Sequence, residues 1–294
     1  MGFVNAALQR LLTQYPGRQA DWVALAEDQP PEVRQSLPGW IVRLLKRELG
    51  PAGFAAALDA VNRPLPLYIR ATPSLASPAD VLAGLTAEGV AARLRPDLAP
   101  WCLETAAPVG VLAETPLFRG GGFLIQDASA QVVAAFADAR PGQTVVDYCA
   151  APGGKTTALA SAMRGQGHLL ACDTSAGRIL RLEENLLRLG VGGFVGVCRL
   201  QDSDDDPEAV RGTDGLSDGA DLVLVDAPCS GLGTLRRHPE IRWRLARADL
   251  ARLATRQGAI LDRAARLVGP GGRLVYATCS LADEENREVV AAFL

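Results

Sequence analysis

Two stretches of this sequence place a thiol where an aliphatic run ends. LVDAPCSGLG (224–233) carries Asp226 and then Cys229, and YATCSLADEEN (276–286) carries Cys279. A thiol at the tip of a strand can add to an electron-poor carbon if its pKa is lowered or a base stands nearby. A carboxylate three positions before Cys229 could steady the charge that such an addition creates. The sequence leaves open which of the two thiols attacks. A third stretch, CAAPGGKTT (149–157), follows a strand-like run and opens a helix-like one. Its glycines let backbone approach a ligand closely. Of 30 basic residues only Lys46 and Lys155 are lysine. Arginine and lysine are chemically distinct cations, so a lysine inside this turn is a pointed choice.

The elements that must carry these residues alternate from about residue 140 onward. TVVDYCA (144–150), HLLACD (168–173), FVGVCRL (194–200), ADLVLVDA (220–227) and RLVYATC (273–279) read as buried strands. Between them lie a helical run to Met163, an amphipathic helix over 175–190 capped by Ser175 and closed by Gly190, and a helix near 249–268. GPGG reads as the turn into the last strand, and ADEENREVVAAFL as the start of a final helix. Strand and helix in alternation predict an α/β fold with a Rossmann-like parallel sheet, whose ligands sit at the carboxyl ends of its strands. All the residues singled out above lie at such ends.

The turn itself is compatible with three ligand classes. A nicotinamide fingerprint needs glycine spacing that is absent, and a P-loop finds Gly154, Lys155 and Thr156 in place but Cys149 where its first glycine belongs. An S-adenosylmethionine (SAM) site accepts a looser glycine turn and benefits from a carboxylate about 20 residues on, where Asp173 stands at the end of the next strand. Asp173 could equally cap the helix that follows.

Earlier residues read differently. Residues 1–15 form a helix that runs into a Pro- and Asp-containing linker. PGWIVRLLKRELG and AGFAAALDAV are helical, and LYIRATP, a helix over 78–89, ARLRPD and WCLETA make a small α+β unit. FLIQDASAQVVAAFA gives a strand and a helix that bridge to the sheet. Three regions are expected: 1–35, 36–125 and 126–294.

The chain has 294 residues, is 48% hydrophobic and carries a net charge of −3, so nucleic-acid contact would need a local patch. Neither a basic leader with an apolar core nor a bilayer-length apolar run is present. Six scattered cysteines and two histidines offer little to a metal, and none is expected. Cys149, Cys172 and Cys198 read as small buried hydrophobes of a cytoplasmic protein. The acidic loop DSDDDPE (202–208) reads as solvated. LRRHPEIRWR (235–244) interleaves arginines with Trp243, as an RNA surface would, and Arg43, Lys46, Arg47 and Arg70 could extend it.

DYCAAPGGKT, LVDAPCSGLGTLRRHPEIRW and LVYATCSLADEEN, preceded by GFLIQDASAQ, together resemble the RNA cytosine-5 methyltransferases of the Nol1/Nop2/Sun group, from about Leu37 to the end of the chain. The resemblance is to members that act on bacterial 16S rRNA. It implies a monomeric SAM-dependent enzyme, outside the membrane, that acts on a cytosine lifted from its stack. In DNA cytosine methyltransferases a Pro-Cys cysteine attacks, which would favour Cys229. In the family resembled here the roles are divided: Cys279 attacks C6 and Cys229 assists release of the methylated RNA. Asp226 then meets the cytosine ring, and Lys155 assists proton transfer or holds the base. Cofactor contacts map to Cys149, Ala150, Ala151, Pro152, Gly153, Gly154 and Lys155, to Asp173, Asp202 and Asp226, and to Arg178. The family also carries an N-terminal NusB-like RNA-binding domain, of which residues 1–35 resemble only a last helix and linker, and a strand pair after the final helix. A nucleotide hydrolase and an RNA-binding fragment without transfer activity are the alternatives.

Overall fold

The computed structural model describes Gln9, Arg10, Thr13, residues 29–200 and residues 216–294. The linker after residue 15, the acidic loop and Asp202 lie outside the described residues.

Internal contacts divide the chain in two: the described part of Met1–Arg63 with Thr234–Arg247, and Pro64–Gly233 with Ala248–Leu294. In the first unit α1 (Pro31–Arg34) precedes α2 (Gly39–Ala60), which breaks at Gly50 (φ 62°) ahead of Pro51. Proline removes an N–H and clashes with the preceding turn, so the two helices expected here meet at that residue pair. Arg242 belongs to this unit and is 5% exposed. Its guanidinium donates to the carbonyls of Gln35 (3.1 Å) and Val61 (3.0 Å) and to Asn62 Oδ1 (2.9 Å). It is thus a buried strut, whereas the sequence pattern had placed it on an RNA surface. Trp243 beside it is 67% exposed.

The second unit holds two sheets. β1 (Leu67–Ala71), β2 (Ala92–Leu94), β3 (Cys102–Thr105) and β4 (Phe123–Ile125) form an antiparallel sheet in the order β2-β3-β1-β4. Ile69, Ala71, Leu103 and Phe123 turn one face onto Val81 and Leu85 of α3 (Pro78–Ala87). Strand alternation sends Arg70 to the opposite face. It is 1% exposed, and so lies in the interior and not on the RNA-facing surface expected for it.

The larger sheet has the order β7-β6-β5-β8-β9, every pair parallel: β5 (Thr144–Asp147), β6 (His168–Asp173), β7 (Val195–Arg199), β8 (Ala220–Asp226) and β9 (Val268–Ala277). Its strands are apolar on both faces, as a sheet covered on both sides requires. Val145, Leu222 and Leu224 join one core with Leu159, Met163, Leu182 and Leu186, from the helices over Gly154–Met163 and Ala176–Arg188. Their strand neighbours Val146, Val223 and Val225 join a second core with Ile260 and Ala264, from the helix over Asp249–Ala265.

Three details differ from the sequence reading. GPGG lies inside β9, which begins at Val268, and a register shift between Ala220 and Leu222 of β8 absorbs the extra residues. Ser175 stands at the cap position of the helix over Ala176–Arg188, but its hydroxyl makes no capping bond; its N–H instead donates to Asp173 Oδ1 (3.0 Å). The last helix starts at Arg287, after a single 3-10 turn at Asp283–Glu285.

Candidate active site

The five parallel strands end on one side, and the turn after β5 shows how their ends are tied together. Ala150 N–H donates to Cys172 O (2.8 Å), and Ala151 N–H donates to Asp173 Oδ2 (3.1 Å). Asn185 donates to Pro152 O (2.9 Å), and Arg178 donates to Ala151 O. The turn is therefore held by the end of β6 and by the helix that follows it. Gly153 has φ +98°, and a Cβ there would lie 2.7 Å from Leu182 Cδ1. The backbone angle demands glycine, and Leu182 would have to shift to admit a Cβ. Gly153→Ala should cost about 1–3 kcal/mol of stability and loosen the turn, as a urea melt would measure.

Beneath the turn, Asp147 is wholly buried and accepts from Thr156 Oγ1 (2.7 Å); burial pushes its carboxyl up to about 7. This residue pair was not picked out from the sequence. Asp147 sits in the motif but reads there as the last residue of a strand.

Lys155, second in its helix, is not left facing the helix dipole alone. Its Nζ lies 2.5 Å from Asp226 Oδ2, with the lysine side chain 13% exposed. Asp226 pairs in register with Ala277 across β8 and β9, so the loops that carry Cys229 and Cys279 leave the sheet side by side. The two sulfurs are 3.1 Å apart, and Cys279 N–H donates to Cys229 Sγ (3.3 Å). The hydrogen bond between the two thiols holds Cys279 below the ordinary range, and the same bond with burial pushes Cys229 up. Cys279 is exposed and Cys229 half-buried. Of the pair, Cys279 is the more accessible. Cys149 is pushed up to about 12, chiefly by burial, and stays a thiol.

These groups line one cavity of about 560 Å³, walled by Cys149, Lys155, Asp173, Arg178, Asp226, Cys229 and Cys279. Ala150, Ala151, Pro152 and Gly154 line a neighbouring cavity of about 280 Å³, which shares Cys149, Lys155 and Asp226 with the first. Asp173 is 4% exposed, and Arg178 reaches its carboxylate at 3.3 Å. Of the expected site residues, Gly153 lines neither cavity and Asp202 lies outside the described residues; the others line one cavity or the other. Sequence reading missed Arg256 and Arg263, which face the larger cavity with Ile260 from the helix over Asp249–Ala265. Their 256-260-263 spacing marks one helix face, but helical spacing carries no chemistry by itself.

A sequence model of the 16S rRNA methyltransferase RsmB/F family matches residues 134–294. The chain belongs to this family. Over its whole length it is 37% identical to ribosomal RNA small subunit methyltransferase B of Sodalis glossinidius, and it spans 64% of that relative. The crystal structure of PH0851 superposes on 89% of this chain and 57% of its own, with TM-score 0.82 and 34% identity. NSun6 from Pyrococcus horikoshii, solved with SFG, is 22% identical and superposes with TM-score 0.75 over 88% of this chain and 87% of its own, a likeness of fold. Membership of the RsmB/F family sets aside the nucleotide-hydrolase reading of the glycine turn. It also agrees with the three motifs in which the site residues lie, all of them wholly inside the matched segment.

Proposed function

We propose that this chain methylates C5 of a cytosine in 16S rRNA, with S-adenosylmethionine as methyl donor and a transient bond between Cys279 and C6. The observation that carries the reading is the pair of thiols 3.1 Å apart in one cavity with the Lys155–Asp226 pair and Asp173. The residues present fit SAM: Asp173 is an acceptor for ribose hydroxyls, and the glycine turn leaves room for backbone approach. When bound, SAM supplies an electrophilic methyl group on its sulfonium.

C5 of cytosine is a weak nucleophile. Addition of the Cys279 thiolate to C6 makes C5 enamine-like, and C5 then takes the methyl group. Asp226 faces the ring edge near N3 and N4 and offsets charge as the thiolate adds. A base removes the C5 proton; Lys155, beside Asp226, is the group we assign to that transfer or to holding the ring. The C6–sulfur bond breaks, Cys279 leaves as thiolate, and Cys229 assists that release. Asp202 completes the cofactor contacts in this reading, and the small-subunit RNA places the activity in the cytoplasm.

Incubation with radiolabelled SAM and unmodified 16S rRNA should yield labelled 5-methylcytosine on nucleoside analysis. SAM binding and RNA retention without any 5-methylcytosine would reduce the chain to an RNA-binding fragment, and label on another position would remove the C6-addition route.

A further inference from the structure

Beyond the last β8–β9 pair, Asp226 with Ala277, the two cysteine loops no longer share a ladder. Two backbone bonds still join them, Ala227 N–H to Ala277 O (2.9 Å) and Gly233 N–H to Cys279 O (2.9 Å), and the side-chain bonds around the serines that follow the cysteines meet at one residue. Glu285 is 0% exposed. Its Oε1 accepts from Ser230 N–H (2.9 Å) and Gln257 Nε2 (2.9 Å), and its Oε2 accepts from the hydroxyls of Ser230 and of Ser280, the latter at 2.5 Å. Ser230 follows Cys229, and Ser280 follows Cys279. Gln257 also donates to the carbonyl of Pro228 (3.0 Å), so the Cys229 loop is tied on both sides of the cysteine.

We propose that Glu285 is the positioning residue that holds the two thiols in contact and so sustains the hydrogen bond between them. The proposal rests on the assignment of Cys279 as the attacking thiol. Taking a carboxylate out of water is costly unless donors surround it, and four donors surround this one. The two serine hydroxyls also lie 3.0 Å from one another, and their oxygens accept the N–H groups of Leu232 (3.4 Å) and Ala282 (3.1 Å). At Oε1 both partners, an N–H and an amide NH₂, can only donate. A glutamine of the same shape would turn an NH₂ either toward those two donors or toward the two hydroxyls, which would have to reverse their hydrogen bonds to accept it. A nucleophile needs placement to within roughly 0.5 Å, which a buried network delivers and a free loop does not.

The test uses Glu285→Gln in the full chain, with Glu285→Asp beside it. Iodoacetamide alkylation across pH, mapped by mass spectrometry, reads which cysteine reacts and where it titrates. In the wild type Cys279 should react first. In Glu285→Gln its midpoint should rise by about one pH unit, roughly tenfold in thiolate at neutral pH. Diamide-driven closure of a Cys229–Cys279 disulfide should slow to a similar degree, while the melt stays cooperative. Glu285→Asp keeps the acceptors and should recover part of both. If the glutamine variant does not fold, the double variant Ser230→Ala with Ser280→Ala removes both hydroxyl ties and should show the same changes. A folded variant with the wild-type midpoint and disulfide rate overturns the proposal. If Cys229 alkylates first in the wild type, the assignment of Cys279 falls and takes this inference with it; if Cys279 does so but ignores Glu285, only this inference falls.

Discussion

Cys279→Ala should abolish 5-methylcytosine formation and leave no covalent protein–RNA species, whereas Cys229→Ala should accumulate one. The asymmetry follows from the site. The sulfurs touch, but Cys279 is exposed and held toward thiolate by the bond with Cys229, which is half-buried and pushed toward thiol. Removal of an activated nucleophile costs about 10³-fold or more in turnover, because the remaining groups can only orient and stabilise. Removal of Cys229 keeps the attacking sulfur, so addition and methyl transfer still occur, slowed by loss of the bond that favours its thiolate, while the step that frees the product loses its assisting group. Denaturing electrophoresis of protein incubated with SAM and labelled 16S rRNA separates the two: a shifted band is expected with Cys229→Ala and none with Cys279→Ala. The opposite pattern would assign the attack to Cys229.

Much of that site was legible because its residues sit where regular elements end. An apolar run read on both faces predicts a covered parallel strand, and the residue after the run must then face a ligand. Asp173, Asp226, Cys229, Cys279 and the 149–155 turn were all found in this way, and the structure brings the four residues and the two ends of the turn, Cys149 and Lys155, to one cavity. Residues that act through burial were not legible. Arg242 reads as an RNA-binding arginine in LRRHPEIRWR, yet three acceptors in its own unit take its guanidinium. Glu285 reads as one acid in a run of three, and nothing in DEE says which member turns inward. Such roles depend on long-range partners 28 and 55 positions away, Gln257 and Ser230, and local spacing is silent about those.

Arg70 carries the other large expectation. Its guanidinium is buried, and its Nη1 donates to Gln126 Oε1 (2.9 Å) and Gly154 O (2.6 Å) while Nη2 donates to Thr157 Oγ1 (2.6 Å). It thus joins β1 of the small sheet to the first turn of the helix that follows the glycine turn. Two opposing effects decide what its removal does. Burial disfavours the charge, pulling the guanidinium down to about 9, so an apolar residue would relieve that cost. Against this, Arg70→Leu takes the donor from Gln126 Oε1 and Thr157 Oγ1 and one of two side-chain donors from Gly154 O, and a buried acceptor left without a donor costs about 1–3 kcal/mol. The second effect should win, with a net loss of about 2–4 kcal/mol in urea unfolding. Arg70→Lys should fall between, because a single ammonium cannot serve three acceptors held in a fork. SAM affinity, measured by calorimetry in the folded fraction, should weaken about tenfold in Arg70→Leu, since Gly154 is both a partner of Arg70 and a wall of the cavity beside the cysteines. A leucine variant as stable as the wild type, with unchanged SAM affinity, would mean that the small sheet merely adjoins the cofactor turn. The expected result makes it part of the site, which acts on the bound ligand through one buried side chain.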